Sequence, residues 1–70
     1  HHWSQLTPRE REVLGWVARA KTNPEIARIL EMKVRTVEKH MENILAKLAL
    51  ENRASAMLAA IEAGLDTPVS

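Results

Sequence analysis

TNPEIARILEMKVRTVEKHMENILAKL, residues 22–48, is the stretch whose reading decides the fold of this chain. It opens on a helix-start signal. Thr22 or Asn23 can cap, Pro24 suits a first helical turn, and Glu25 can reach back to the capping residue. Ile26, Ala27, Ile29 and Leu30 then supply the buried side of a short helix over about residues 24–31. Glu31 to Lys33 make a brief turn, and a longer helix follows over about residues 34–48. On a helical wheel Val34, Val37, Met41, Ile44, Leu45 and Leu48 form one apolar stripe. A short helix, a three-residue turn and a longer helix with a polar outer face make a helix-turn-helix pattern.

The polar side of the longer helix is organised. Arg35, Ala46, Lys39 and Asn43 lie opposite the stripe, Thr36, His40 and Lys47 form one flank, and Glu38 and Glu42 form the other. Arg, Lys and Asn are side chains that read guanine and adenine edges in a major groove, and a glutamate accepts from the cytosine amino group. Thr36, His40 and Lys47 suit a phosphate backbone. The same wheel also suits a solvated surface, on which Glu38 and Glu42 pair with Arg35, Lys39 or Lys47 for a few tenths of a kcal/mol each.

Working outward, LTPRERE places Thr7 before Pro8 with Glu10 three residues on, a capping box that opens a first helix over about residues 8–20. Val13, Leu14, Val17 and Ala18 share its inner face. On the other side Asn52 can cap a last helix over about residues 53–63, ending at Gly64. Ala56, Met57, Ala60 and Ile61 recur there at core spacing, which leaves Ala54, Ser55, Leu58 and Glu62 outside. The expected fold class is therefore all-α, four helices with short loops. Residues 1–5 read as a tag remnant (His1, His2) and an N-terminal cover, 6–64 as the folded domain, and 65–70 as a flexible tail.

Composition narrows the function. With 70 residues and no cysteine, the chain holds one small domain with neither a disulfide framework nor a thiolate metal site. Its longest apolar run, Ala56 to Ile61, is six residues, far short of the roughly 18 of a membrane span. A soluble, cytoplasmic domain with no membrane partner is expected. The net charge is +1, but residues 19–47 carry seven Lys/Arg against four Glu, and residues 48–70 carry Arg53 against Glu51, Glu62 and Asp66. A basic middle and an acidic end are compatible with phosphate contact. No enzyme is expected, hence no catalytic residue, metal or cofactor. No glycine-rich loop is present, Ser4, Ser55 and Ser70 have no base beside them in sequence, and His40 has no second ligand at metal spacing except His1 and His2. Trp16 reads as a core-edge residue and Trp3 as a cover.

LTPREREVL, TNPEIARIL, VRTVEKHMENILAKL and ENRASA, four motifs in this order from Leu6 to about Gly64, resemble the C-terminal DNA-binding domain of LuxR/FixJ-type transcription regulators. The resemblance implies a four-helix domain whose third helix enters the major groove of duplex DNA and whose fourth dimerises. It implies sequence-specific DNA binding as the output domain of a bacterial regulator. Thr36, Glu38, Lys39, Glu42 and Lys47 match the family's DNA-contacting positions, and Thr22 and Asn23 its phosphate-contacting turn.

With the wheel, these give Arg35, Glu38, Lys39, Glu42 and Asn43 as base contacts. Thr22, Asn23, Lys33, Thr36, His40 and Lys47 are the backbone contacts. Ala54, Ser55, Leu58 and Glu62 are the expected interface of a homodimer on DNA. A receiver or ligand-sensing domain would lie outside this stretch. The sequence departs from the family pattern at Pro24, where a lysine is common, at Ala20 and Glu31, where glycine is common, and at Lys33, where a serine usually caps. Two rivals stand: a sigma-factor region 4 domain, which usually lacks the ENRASA helix, and a protein-interaction bundle that has lost DNA binding.

Overall fold

The computed structural model describes residues 3–65. A 3-10 turn at Trp3–Gln5 precedes four helices, α1 (Pro8–Ala18), α2 (Asn23–Leu30), α3 (Val34–Leu48) and α4 (Arg53–Glu62), with no strand among the described residues. The expected tag remnant and all of the expected tail except Leu65 lie outside the described residues. Leu65 does not behave as tail: it packs on the core and its amide donates to the Ala60 carbonyl at 2.9 Å.

Three helices start on side chains that satisfy otherwise orphaned backbone groups. The Thr7 hydroxyl accepts from the Glu10 amide, and the Glu10 carboxylate accepts from the Thr7 amide at 2.8 Å. Thr22 and Glu25 repeat this at α2, which settles the cap on Thr22 and makes Asn23 the first helical residue. Asn52 accepts from the Ser55 amide at 2.9 Å. Each such cap is worth about 1 kcal/mol. The fourth start is bare: Lys33 precedes α3 and makes no side-chain cap.

All four helices end the same way. A residue with positive φ turns the chain, and the next amide reaches back to the last turn: Lys21 to the Trp16 carbonyl at 3.1 Å, Met32 to Ala27 at 2.9 Å, Leu50 to Leu45 at 3.0 Å and Leu65 to Ala60 at 2.9 Å. The turning residue is glycine only at Gly64; elsewhere it is Ala20 (φ 63°), Glu31 (φ 55°) and Ala49 (φ 55°). These turns stop α1 and α2 before the expected residues 20 and 31. Each non-glycine there is strained by about 1 kcal/mol.

α1 lies against α4, α3 and, less extensively, α2, while α2 packs mainly on α3. Leu14, Ile26, Ile44, Val13, Val17 and Val37 are the largest fully buried side chains. Small residues let α4 approach closely: Ala56, Ala59 and Ala60 are its buried face. Gly15 marks another close approach, since a Cβ there would stand 3.2 Å from the Leu65 carbonyl oxygen. Three apolar residues expected inside are partly outside: Ile29, Val34 and Ile61 are 41, 39 and 41 % exposed. α4 is rotated so that Ala59 takes the inner place expected for Ile61. Ile29 lies to one side of the Ile26–Ala27 face, and Val34 sits in the uncapped first turn of α3.

Candidate nucleic-acid interface

The turn Glu31–Lys33 sets α2 and α3 against each other, and the polar side of α3 faces outward. Arg35, Thr36, Glu38, Lys39 and Glu42 are exposed, whereas His40 and Asn43 are half-buried. The intrahelical ion pairs that a solvated face would make do not form. Among the described residues the ion pairs are Arg9–Glu12 and Lys47–Glu10. The charged groups of Arg35, Glu38, Lys39 and Glu42 thus stand open to an incoming ligand.

Lys47 is the exception on this helix. Its ammonium donates to the Glu10 Oε1 at 2.7 Å, and the Glu10 side chain is 4 % exposed. Burial alone pushes the Glu10 carboxyl up, but the Lys47 ammonium and the Thr7 amide and hydroxyl outweigh it, so the carboxyl is held below its ordinary value. Glu10 therefore caps α1 and ties it to the end of α3. Lys47, expected as a backbone contact, also anchors α3: Glu10 takes one of its three N–H donors, and its side chain stays one-third exposed. Wheel geometry placed it on the polar flank, and no pattern local to α3 reports a partner 37 residues away.

The start of α2 is held from outside as well. The Arg53 guanidinium donates through Nη1 to the Asn23 Oδ1 and through Nη2 to the Lys21 carbonyl, both at 2.6 Å. No pattern local to α4 marks this role of Arg53, because the loop it holds lies about thirty residues away. The Glu25 carboxyl is held below its ordinary value by the Thr22 amide and hydroxyl. His40 keeps its Nδ1 buried without a partner, so only part of the ring is offered outward. Arg19 stacks on the Trp16 ring at 4.7 Å, at the edge of the core rather than on α3.

The outer side of α4 carries Ala54, Leu58, Ile61 and Glu62, with Leu58 at 58 % exposure. Ser55, expected among them, is half-buried. No group of three or more His, Cys, Asp or Glu side chains arranged to hold a metal is found among the described residues. No described helix is long and apolar enough to cross a membrane.

The arrangement of a capped short helix, a three-residue turn, a longer helix with an open polar face and a fourth helix behind it is matched by a known family. Residues 4–60 match the model of bacterial regulatory proteins of the luxR family. The chain belongs to this luxR family. The match covers α1 to α3 and most of α4, and so replaces the sigma-factor alternative, which usually lacks the last helix. The family is one of regulators, not enzymes. Relatives include the transcriptional activator protein SolR of Ralstonia solanacearum, 50 % identical over 60 residues, which is 86 % of this chain and 25 % of SolR. The transcriptional activator protein YukR of Yersinia ruckeri is 45 % identical over 64 residues, 91 % of this chain and 28 % of YukR. An uncharacterized transcriptional regulatory protein of Bacillus subtilis, YhcZ, is 42 % identical over 66 residues, 94 % of this chain and 31 % of YhcZ. The chain thus spans about a quarter to a third of the length of these luxR-family relatives.

Proposed function

We propose that this chain binds duplex DNA sequence-specifically as the output domain of a bacterial transcriptional regulator, with α3 in the major groove. The observation that carries the reading is the open charge on α3: Arg35, Glu38, Lys39 and Glu42 are exposed and unpaired among the described residues, on the outer helix of a luxR-family fold. Arg35, Glu38, Lys39, Glu42 and Asn43 are the base contacts in this reading. Thr22, Asn23, Lys33, Thr36, His40 and Lys47 contact the backbone. The glutamates lower non-specific affinity and accept from cytosine, which favours selectivity over strength. Two copies pair through the outer side of α4, around Leu58 and Ile61, and address half-sites about one helical turn apart. The domain acts in the cytoplasm, and a receiver or ligand-sensing domain elsewhere in a longer protein supplies the signal.

The test is an amide NMR titration of the chain with a mixed-sequence duplex at low and higher salt, repeated with Lys39→Ala. Shifts over Thr22–Asn23 and Lys33–Lys47 that fade with salt are expected, and Lys39→Ala should weaken binding by about 1–3 kcal/mol. Shifts centred on α4, or none at any salt, would mean a helical bundle that binds protein instead.

A further inference from the structure

The start of α2 has few hydrogen-bond donors left for a phosphate. The Thr22 amide is taken by Glu25 and the Glu25 amide by the Thr22 hydroxyl. The Ile26 amide is taken by the Thr22 carbonyl, and Pro24 has no amide hydrogen. The Glu25 carboxylate also adds negative charge here. What remains is the rotatable Thr22 hydroxyl hydrogen and Asn23, through its backbone amide and its carboxamide.

The carboxamide is oriented from a distance. A guanidinium carries donors only. The amide group facing Arg53 must therefore present its oxygen, and Nη1 meets Oδ1 at 2.6 Å. The Asn23 Nδ2 is thereby turned away from Arg53. It has no partner among the described residues and is not a buried unpartnered atom. The second arm of the guanidinium, on the Lys21 carbonyl at 2.6 Å, fixes the loop from the other side of Thr22.

We propose that Arg53, the first residue of α4, is a positioning residue for DNA binding: it holds the Asn23 carboxamide so that Nδ2 donates outward to a backbone phosphate. Arg53 itself stays on Asn23 and Lys21 and does not touch the DNA. The inference rests on the DNA-binding reading above and goes beyond it, since Arg53 was not among the contacts expected from sequence. The aspartate of Asn23→Asp would keep an acceptor for Arg53 but replace the phosphate donor with an anionic oxygen.

The experiment measures duplex affinity against salt by fluorescence anisotropy for the 70-residue chain and four variants: Arg53→Met, Asn23→Ala, the double variant and Asn23→Asp, each checked by thermal unfolding. Arg53→Met should weaken binding roughly tenfold, the scale of one hydrogen bond to a charged group, with the salt slope unchanged. In the Asn23→Ala background Arg53→Met should add little, because the two act through one amide. Asn23→Asp should fold normally and bind no better than Asn23→Ala.

Three results overturn the proposal. A salt slope lower by about one in Arg53→Met makes Arg53 itself a phosphate contact. An undiminished effect of Arg53→Met in the Asn23→Ala background makes its role purely structural. Wild-type affinity in Asn23→Asp leaves no donor role for the carboxamide, and this variant decides even if Arg53→Met fails to fold. If the wild-type chain binds no duplex at any salt, the DNA-binding reading itself falls and takes this one with it.

Discussion

The starts of α1 and α3 are opposites. α1 begins on Thr7 with a reciprocal Glu10, and Glu10 continues inward to take the Lys47 ammonium from the end of α3. α3 begins on Lys33, which offers no acceptor to the first turn and places a positive charge at the positive end of the helix dipole. One region uses its cap and its buried carboxylate to hold the fold together. The other leaves its cap unmade and, along the same helix, leaves Arg35, Glu38, Lys39 and Glu42 unpaired among the described residues. The difference teaches that the charges of this small domain are divided by place. Glu10 and Lys47, behind α3, are paired within the fold, and Arg35, Glu38, Lys39 and Glu42, in front, stand unpaired among the described residues.

The strongest way to break that comparison is at Glu10. Glu10→Ala removes an acceptor shared by Thr7 and Lys47 and should destabilise the domain by about 2–3 kcal/mol in urea unfolding. A change under about 0.5 kcal/mol would show that the two regions do not differ. The pH dependence sharpens the point. Because the folded-state carboxyl is held below its ordinary value of 4.5, its stabilisation is present above that value and is lost as pH falls through the lower folded one. Glu10→Gln should flatten the acid limb of a stability–pH curve, leaving a smaller slope from Glu25, whose carboxyl is shifted the same way.

Lys33→Ser comes next. It should stabilise the fold by about 1 kcal/mol by supplying the missing cap, and lower duplex affinity with a salt slope smaller by about one. Stabilisation with no loss of binding would return Lys33 to the solvent and leave the bare cap without a use. The smallest effect is expected at Ala49→Gly, which relieves a left-handed alanine behind the interface. It should add about 0.5–1 kcal/mol and leave DNA binding unchanged. A loss of affinity there would mean that the end of α3 also belongs to the front.

Much of this protein is decided by local sequence. Thr7-Pro8-Arg9-Glu10 and Thr22-Asn23-Pro24-Glu25 announce helix starts because a cap and its reciprocal glutamate are three residues apart, within reach of one turn. The stripe of Val37, Met41, Ile44 and Leu48 is legible because helical period and burial coincide. Gly64 marks the last helix end, but Ala49 does so without any residue signal, since a left-handed alanine is held there by the turn around it rather than by its own preference.

Tertiary structure alone decided which way α4 faces and which polar groups are taken. Alanine and isoleucine both fit a core stripe by period, and only the close approach of α1 selects Ala59 over Ile61. Lys47 and Arg53 look like surface cations in sequence. Their partners, Glu10 and the Lys21–Asn23 loop, are brought to them by packing. A helix start is a contact between near neighbours and can be read along the chain. An ion pair between helices is a contact in space, and its existence depends on the fold that the helix starts help to build.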